Sequence, residues 1–394
     1  MPKHTMRVID IDSHVYEPSA IWERYLDPKH YAVARAAFWH ATDSDGDTTV
    51  VLNGKPARAM NRSKLVRQAL WRPGMTLDSI GALDPDRYSG VNPGSQEPQA
   101  RLKDMDALGI DAALLFPTLF AEYLPAVENP EMATLLASAY NDWLFDFSSA
   151  APKRLLPAAF IPLHDVALAK AEVKRVAAKG FKAAVLRPSF VGDRFMNYRA
   201  YEPLWRLFEQ LGLAVFVHPS PGVTNPEWTC AGPFIERVAD YLKIGHDIAE
   251  TAAPMMDAGT AFVAFFFCGH MEDYPKLKLA FAHAGASWVS LALEKVETFV
   301  TIMPGAKKIS LEPEEVFLER PSLVGFDAWE VMVPRMHDFY GPIAAWGSRY
   351  PHHDTSTPQE AIDNLRRWDV PEETIAKMMG GNATRFLGLI WGPG

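Results

Sequence analysis

Residues 7–14 near the N-terminus read Arg-Val-Ile-Asp-Ile-Asp-Ser-His, an apolar run that ends in Asp12-Ser13-His14. The run has the length and composition of a buried β-strand. Successive side chains of a strand alternate between its faces, so Asp12 and His14 point the same way and can hold one metal ion between a carboxylate oxygen and an imidazole nitrogen. His218 and His283 each follow a similar apolar run. These residues predict a metal site at the ends of several strands.

Seven further short apolar runs alternate with helical segments along the chain. With the first, they indicate a (β/α)8 TIM barrel, whose functional residues lie at the carboxyl ends of its strands. Gly180 and Gly212 each end a helix just before a strand. The apolar runs are Arg7–His14, Ala112–Pro117, Leu155–Pro162, Ala183–Arg187, Ala214–His218, Lys278–His283, Leu323–Phe326 and Ile343–Trp346.

Two long connections depart from a simple barrel. The first run is followed by too many residues for an ordinary loop, and we predict an insertion over the barrel mouth at about residues 20–100 within a single domain of residues 1–394. Thr48–Leu52 followed by the turn signal Asn53-Gly54 predicts a small β-hairpin there. Asp84–Gln99 is typical of a loop, and the apolar surplus of Pro219–Pro275 favours a lid or a dimer surface.

The composition limits the partners. The chain has 394 residues with 39 basic and 48 acidic side chains, a formal charge of -9, and no basic stretch, so nucleic acid is not an expected partner and a small-molecule substrate is. Cys230 and Cys268 are too few for a disulfide framework or a thiolate zinc cluster. Met1–Thr5 lacks the features of a secretory signal, and no apolar run is long enough for a membrane span, so we expect a cytoplasmic protein.

Each candidate ligand also has a purely structural interpretation. Asp12 could terminate a strand and His14 could cap a turn. A lone histidine such as His218 or His283 at the end of a buried strand is more often a hydrogen-bonded core residue than a ligand. Together, however, these residues favour a site, because independent core histidines would not cluster on one face of a barrel.

Seven motifs lie along almost the whole chain: Asp10–Pro18, Phe181–Ala184, Val217–Pro219, Tyr274–Lys278, Ala282–Gly285, Gly347–His352 and Gly381–Phe386. In their order, these motifs resemble the amidohydrolase-2 family of the amidohydrolase superfamily. That family includes aminocarboxymuconate-semialdehyde decarboxylase and the resorcylate-type decarboxylases. The resemblance implies a TIM barrel with a divalent metal, usually zinc or manganese, and a homodimer.

The resemblance also implies residue roles. The paired ligands of the first strand match Asp12 and His14, and the fifth-strand histidine ligand matches His218. The sixth-strand histidine, which helps to activate the metal-bound water or to protonate the substrate, matches His283. The eighth-strand aspartate, a ligand and often a proton carrier, falls at Arg349, where the chain departs from the family's pattern.

A guanidinium cannot ligate a cation and repels one nearby. Three interpretations of Arg349 are therefore open. Asp354 or Glu17 supplies the missing carboxylate; or the metal is absent, Arg349 holds a substrate carboxylate, and His218 or His283 does acid–base chemistry; or Arg349 points out of the barrel as an ion-pair partner in a degraded enzyme.

Other residues are candidates for substrate binding. Arg187 ends the predicted fourth strand and could bind an anion, or form a salt bridge at the rim. His164 could line the mouth, although a hydrogen-bonded loop histidine is the more ordinary role. Aromatic residues that could form a wall for the ligand, or simply belong to the core or a subunit interface, are Trp228, Phe265, Phe266 and Tyr350.

We therefore expect a metal-dependent hydrolase or non-oxidative decarboxylase that acts on a small, aromatic or polyketide-like carboxylate. In this hypothesis His283 moves the proton and Arg349 orients the substrate carboxylate, with Asp354 as a further catalytic candidate. The first alternative is a metal-free lyase, isomerase or cyclase that uses His218, His283 and Arg349. The second is a non-catalytic barrel that binds a ligand.

Overall fold

A computed structural model describes residues 6–42, 48–57, 69–83, 91–219, 241, 247–302 and 309–391. Eight parallel strands form one sheet, in which they pair in the following order. The strands are β1 (Ile9–His14), β5 (Ala112–Phe116), β6 (Leu155–Phe160), β7 (Ala183–Leu186), β8 (Ala214–Val217), β9 (Leu279–Phe281), β10 (Ser322–Phe326) and β11 (Ala344–Trp346).

Backbone hydrogen bonds just after β11 join the two ends of this sheet. The N–H of Arg349 donates to the carbonyl of Asp12 at 2.7 Å, and the N–H of His14 donates to the carbonyl of Tyr350 at 2.6 Å. Each predicted apolar run coincides with one barrel strand, although β10 begins one residue before its run, at Ser322. Parallel strands covered by helices are buried on both faces and read as continuous apolar segments. The prediction of a (β/α)8 barrel is confirmed.

A smaller sheet lies between β1 and β5 in the sequence. It consists of β2 (Phe38–Thr42), β3 (Thr48–Leu52) and β4 (Lys55–Pro56) in antiparallel order. Asn53 and Gly54 connect β3 to β4 with φ angles of 51° and 77°, the left-handed values that a tight hairpin turn requires. The predicted hairpin is confirmed, and β2 adds a strand that the sequence pattern did not reveal.

Helices cover the outside of the barrel. Gly180 and Gly212 end two of them in left-handed conformation, as predicted. The α-helices are Ile21–Tyr25, Tyr31–Ala37, Leu77–Gly81, Pro98–Leu108, Leu119–Tyr123, Pro130–Ser148, Val166–Lys179, Glu202–Leu211, Asp247–Phe267, His270–Asp273, Trp288–Ile302, Glu315–Leu318, Met332–Arg335, His337–Tyr340, Pro358–Arg367, Glu372–Ala376 and Asn382–Leu387. The 3-10 turns are Pro28–His30, Pro93–Ser95, Leu124–Ala126 and Arg199–Tyr201, and Lys377–Gly381 forms a π-helical turn.

The two long connections are only partly described. Of the predicted loop Asp84–Gln99, residues 84–90 lie outside the described residues, and Pro93–Ser95 forms a 3-10 turn. In the second connection the helix Asp247–Phe267 buries Phe265 and Phe266. Across the described ranges, every helix is too short or too polar to span a membrane.

Candidate metal centre

Four potential metal ligands meet at the carboxyl ends of the barrel strands. Asp12 and His14 belong to β1, His218 directly follows β8, and His283 follows β9. Their ligating atoms all lie within 4.8 Å of one another. The carboxyl ends of the strands of a parallel barrel lie together at one end of the barrel. Residues that are far apart in the sequence therefore form a compact group.

The distances within the group are short. Asp12 Oδ1 lies 3.2 Å from His14 Nε2 and 3.1 Å from His218 Nε2. The rings of His218 and His283 stack with their centroids 4.9 Å apart. One carboxylate and three imidazoles form a donor set that suits zinc or manganese.

The contacts of His14 fix which of its nitrogens can bind a cation. Its Nδ1 lies 2.9 Å from the carbonyl oxygen of Pro117, and a carbonyl only accepts, so Nδ1 carries the hydrogen. The buried Nε2 makes no hydrogen bond to any described residue. An imidazole held by its far nitrogen with the other left open is the usual arrangement of a metal-ligating histidine. These residues therefore fit a metal.

The protonation states also fit. Burial would raise the pKa of Asp12, but His218 and His14 outweigh it and hold that pKa well below its usual range. Burial lowers the pKa of His218, and burial together with the Arg349 charge lowers the pKa of His283 strongly. At neutral pH Asp12 is therefore a carboxylate and His218 and His283 are neutral imidazoles, the forms that bind cations.

Asp10 supports the strand that carries Asp12. The buried carboxylate of Asp10 accepts hydrogen bonds from the N–H groups of Ser348 at 2.9 Å and Asp12 at 3.1 Å. Burial raises its pKa to about 6 despite these bonds. Asp10 thus ties β1 to the residues that follow β11.

Arg349 lies beside the group, and its side chain forms ion pairs with two aspartates. Nη1 donates to Asp354 Oδ2 and Nη2 donates to Asp327 Oδ2, each at 2.6 Å, and Nη2 also donates to the carbonyl of His283 at 3.3 Å. We call Asp327, Arg349 and Asp354 the ion-pair triad. Asp354 is therefore paired with Arg349 and does not belong to the group of potential ligands.

The pKa values of the two carboxyl groups of the ion-pair triad shift in opposite directions, because burial dominates at Asp327 and the charge of Arg349 dominates at Asp354. Burial would raise the pKa of Asp354, but Arg349 outweighs it and holds that pKa far below its usual value. Burial raises the pKa of Asp327 to about 7, with Arg349 opposing the shift. The ionised carboxylate of Asp354 beside the guanidinium offsets the repulsion that an isolated arginine would exert on a cation.

Glu17, the other predicted source of a carboxylate, is used structurally. Its carboxylate accepts hydrogen bonds from the N–H groups of Thr118, Leu119 and Phe120 at 2.9, 3.1 and 3.2 Å. Burial raises its pKa to about 7 against these bonds. It lies outside the group of potential ligands.

Two predicted substrate-binding residues, Arg187 and His164, are buried in the segments that follow barrel strands. Arg187 is buried directly after β7, and its Nη1 donates to the carbonyl of Glu122 at 2.9 Å. His164 is buried in the loop after β6, where burial lowers its pKa to about 4. Neither belongs to the potential metal ligands.

The predicted aromatic wall is not assembled within the described residues. The hydroxyl of Tyr350 donates to Asp104 and accepts from Asn92 Nδ2 at 2.7 Å. Phe265 packs against Trp205, with ring centroids 5.0 Å apart, and Phe266 is buried in the same helix. Trp228 lies outside the described residues.

Sequence reasoning missed Asp327 and left His352 without a role. Asp327 follows the predicted strand Leu323–Phe326, as His218 follows β8, so the same signal could have found it. The ring of His352 lies 4.7 Å from that of His14, and its Nε2 is 3.3 Å from Thr118 Oγ1. No spacing within the chain predicts that contact.

A (β/α)8 barrel with Asp-x-His on its first strand and histidines after two later strands is the arrangement that metal-dependent barrel enzymes use. The model of the amidohydrolase family matches residues 9–308. The chain belongs to this family, as the sequence motifs predicted.

Similar proteins include decarboxylases. The chain is 22% identical over 315 residues to 2-amino-3-carboxymuconate-6-semialdehyde decarboxylase of Dictyostelium discoideum, covering 78% of this chain and 81% of the relative. The crystal structure of an amidohydrolase of Mycobacterium avium subsp. paratuberculosis K-10 matches with a TM-score of 0.78 at 22% identity, over 98% of this chain and 99% of the other.

A further structure, dihydroxybenzoic acid decarboxylase of Polaromonas sp. JS666, matches with a TM-score of 0.64 at 16% identity over 98% of both chains, and holds manganese and the inhibitor 2-nitroresorcinol. The two structural likenesses establish the fold. The decarboxylase relatives support an enzyme of the carbon–carbon lyase class, so the prediction of an amidohydrolase-related enzyme is confirmed.

Proposed function

We propose that the protein is a metal-dependent non-oxidative decarboxylase of a small aromatic carboxylate. The observation that carries this proposal is the group of Asp12, His14, His218 and His283, whose ligating atoms lie within 4.8 Å of one another at the barrel mouth. The decarboxylase relatives support the reaction class. Hydrolysis, the other predicted reaction of the metal enzyme, has no comparable support among them.

Asp12, His14 and His218 would hold the cation, with zinc and manganese both suited to these donors. When bound, the metal supplies a Lewis acid that polarises an oxygen of the substrate. Asp12 contributes the negative charge, since the pKa of its carboxyl lies well below neutrality. His14 is oriented by the carbonyl of Pro117.

His283 would move the proton. Decarboxylation breaks the bond between the ring carbon and the carboxylate carbon, and that ring carbon must receive a proton as carbon dioxide leaves. The neutral imidazole of His283 first accepts a proton from solvent or from a substrate hydroxyl. Because burial and Arg349 hold its pKa low, the imidazolium then gives the proton up readily to carbon.

Arg187 is our candidate for an anion-binding residue. It is buried at the carboxyl end of β7, the end of the barrel that carries the potential ligands. We expect Arg349 to contribute less to substrate binding than the sequence suggested, because Nη1 and Nη2 already contact Asp354 and Asp327.

A homodimer and a cytoplasmic location remain predictions. Light scattering would test the first of them.

The experiment measures metal content and carbon dioxide release together. Protein purified without chelators is analysed for zinc and manganese and then assayed with a panel of hydroxylated benzoates. We expect about one cation per chain, activity that a chelator removes and the metal restores, and loss of both in His14→Ala and His218→Ala. His337→Ala, which alters a histidine beside Asp338 in the helix His337–Tyr340, is the matched control.

Other outcomes would select the alternatives. Activity without metal, lost in His218→Ala and His283→Ala, would contradict the metal enzyme and favour a metal-free lyase, isomerase or cyclase. Binding of aromatic acids with no turnover under any metal would favour a non-catalytic barrel.

A further inference from the structure

Arg349 contacts the backbone of two residues of the proposed metal centre. Its N–H donates to the carbonyl of Asp12 at 2.7 Å, and its Nη2 donates to the carbonyl of His283 at 3.3 Å. Asp12 belongs to β1 and His283 follows β9, so these strands lie on different sides of the segment that carries Arg349. One residue therefore bridges two parts of the centre that no short loop connects.

The backbone of Arg349 and that of His283 are both in an unfavourable conformation. Arg349 has a φ of 59° and His283 a φ of 64°, both in the left-handed region that residues other than glycine rarely adopt. Such conformations persist only where the surrounding structure holds them, and they concentrate at functional sites. The bond from Arg349 Nη2 to the carbonyl of His283 joins the two strained residues directly.

The side chain of Arg349 is itself held from two sides. Asp327 directly follows β10, and Asp354 lies in the loop after β11. Each carboxylate lies 2.6 Å from a different nitrogen of the guanidinium, and the Arg349 side chain is 15% exposed. A guanidinium is suited to this task because its planar fork can bind two carboxylates at once.

Charge alone predicts that Arg349 would weaken a cation site. Asp354 is ionised beside the guanidinium, however, and offsets its charge, and Asp327 adds a further negative charge when it is ionised, so the arginine is compensated within its own contacts. The triad also bears on the two roles expected from the sequence: the Arg349 side chain is largely buried, and both of its terminal nitrogens already contact carboxylates.

We propose that Arg349 is a positioning residue of the metal centre, which holds Asp12 and His283 through their backbone carbonyls while Asp327 and Asp354 cancel its charge. This inference rests on the proposed function, because it assumes that the centre binds a cation. In this chain, the segment after β11 thus positions residues of the centre through hydrogen bonds and does not itself provide a ligand.

The test uses cobalt(II) as the probe, because its visible absorption reports the geometry of its ligands. Removing a positive charge beside a cation should tighten binding if charge is all that matters. Arg349→Met keeps the N–H that contacts Asp12 but frees the segment after β11 from Asp327 and Asp354. If Arg349 positions the ligands, this change should weaken cobalt binding by about tenfold to hundredfold, the usual effect of losing a residue that orients metal ligands, and should change the absorption spectrum.

Conservative variants separate charge from geometry and remain informative if Arg349→Met does not fold. Arg349→Lys keeps the charge but cannot bind two carboxylates in a plane, so cobalt should bind more weakly with an altered spectrum. Asp327→Asn keeps the shape and leaves Arg349 less compensated, so cobalt should bind more weakly with the wild-type spectrum. Arg366→Met removes an exposed ion pair with Glu372 and is the control.

The outcomes distinguish this inference from the proposed function. Wild-type protein that binds no cobalt would contradict the metal centre, and the positioning role with it. Wild-type protein that binds cobalt, with Arg349→Met and Arg349→Lys binding it as tightly and with the same spectrum, would overturn the positioning role alone.

Discussion

Gly347 packs so closely against Asp12 that a Cβ atom at residue 347 would lie 2.6 Å from Cβ of Asp12. Real carbon atoms do not approach so closely without a shift of one of them. Because Gly347 has no side chain, it leaves the space that the side chain of Asp12 occupies. A change of one methyl group at this position acts directly on the proposed metal centre.

We predict that Gly347→Ala displaces Asp12 and lowers metal affinity by about tenfold or more, as expected when a ligand is moved from its position. Competition with a chromophoric chelator measures the affinity. Gly81→Ala is the control, since a Cβ at residue 81 would meet no atom within 4 Å. An unchanged affinity in Gly347→Ala would show that Asp12 is not a ligand or that β1 adjusts freely.

His283→Ala separates proton transfer from metal binding. If His283 moves the proton, kcat should fall by about 100-fold or more, while metal content stays at the wild-type level because Asp12, His14 and His218 remain. Metal analysis and carbon dioxide release on the same preparation measure both. Loss of the metal in this variant would identify His283 as a ligand instead.

His40 should make folding sensitive to acid. Burial lowers its pKa to about 4 from 6.5, so the unfolded chain binds the proton more readily than the folded one between these values. Stability is therefore complete above pH 6.5 and falls as the pH decreases toward 4. Linkage gives a loss of about 2 kcal/mol between pH 7 and pH 5 from this group.

Urea denaturation at pH 7 and pH 5 tests this effect. His40→Gln has no ionisable group and keeps an N–H for the carbonyl of Glu17, which His40 Nε2 approaches at 3.0 Å. The pH-dependent loss should be smaller in the variant by the contribution of His40. Equal losses in the two proteins would show that His40 does not titrate in this way.

Arg101 should be essential for stability. It is buried, its Nε donates to the carbonyl of Gly94 and its Nη1 to Ser13 Oγ, each at 2.8 Å. Arg101→Met leaves these acceptors unsatisfied and should cost about 3 kcal/mol of unfolding free energy. Arg35→Met, at an exposed pair with Glu23, should change stability little when measured in the same urea titration.

The barrel could be predicted because its strands carry their burial in their composition. Ala214–Val217 and Ala112–Phe116 are buried along their whole length, and such strands appear as unbroken apolar runs. Phe38–Thr42 was missed because Trp39, His40 and Thr42 interrupt the apolar pattern. Its pairing with Thr48–Leu52 decides its structure, and local sequence does not encode that pairing.

The group of potential metal ligands could be predicted in outline for a related reason. Asp12, His14, His218 and His283 stand at strand ends, and the barrel brings strand ends together. The partners of Arg349 could not be foreseen, because Asp327 and Asp354 reach it from two different loops. Nor does sequence show that Glu17 turns toward the N–H groups of Thr118, Leu119 and Phe120.

The bonds from Arg349 to Asp12 and from His14 to Tyr350 also constrain the order of events during synthesis. The strand β1 leaves the ribosome before the other barrel strands, yet one of its edges has no partner until residues 349 and 350 follow. A nascent chain thus exposes an open strand edge while the rest of the barrel is made, the kind of edge that pairs with other chains. Aggregation during expression should therefore fall when translation is slowed or a chaperone is supplied.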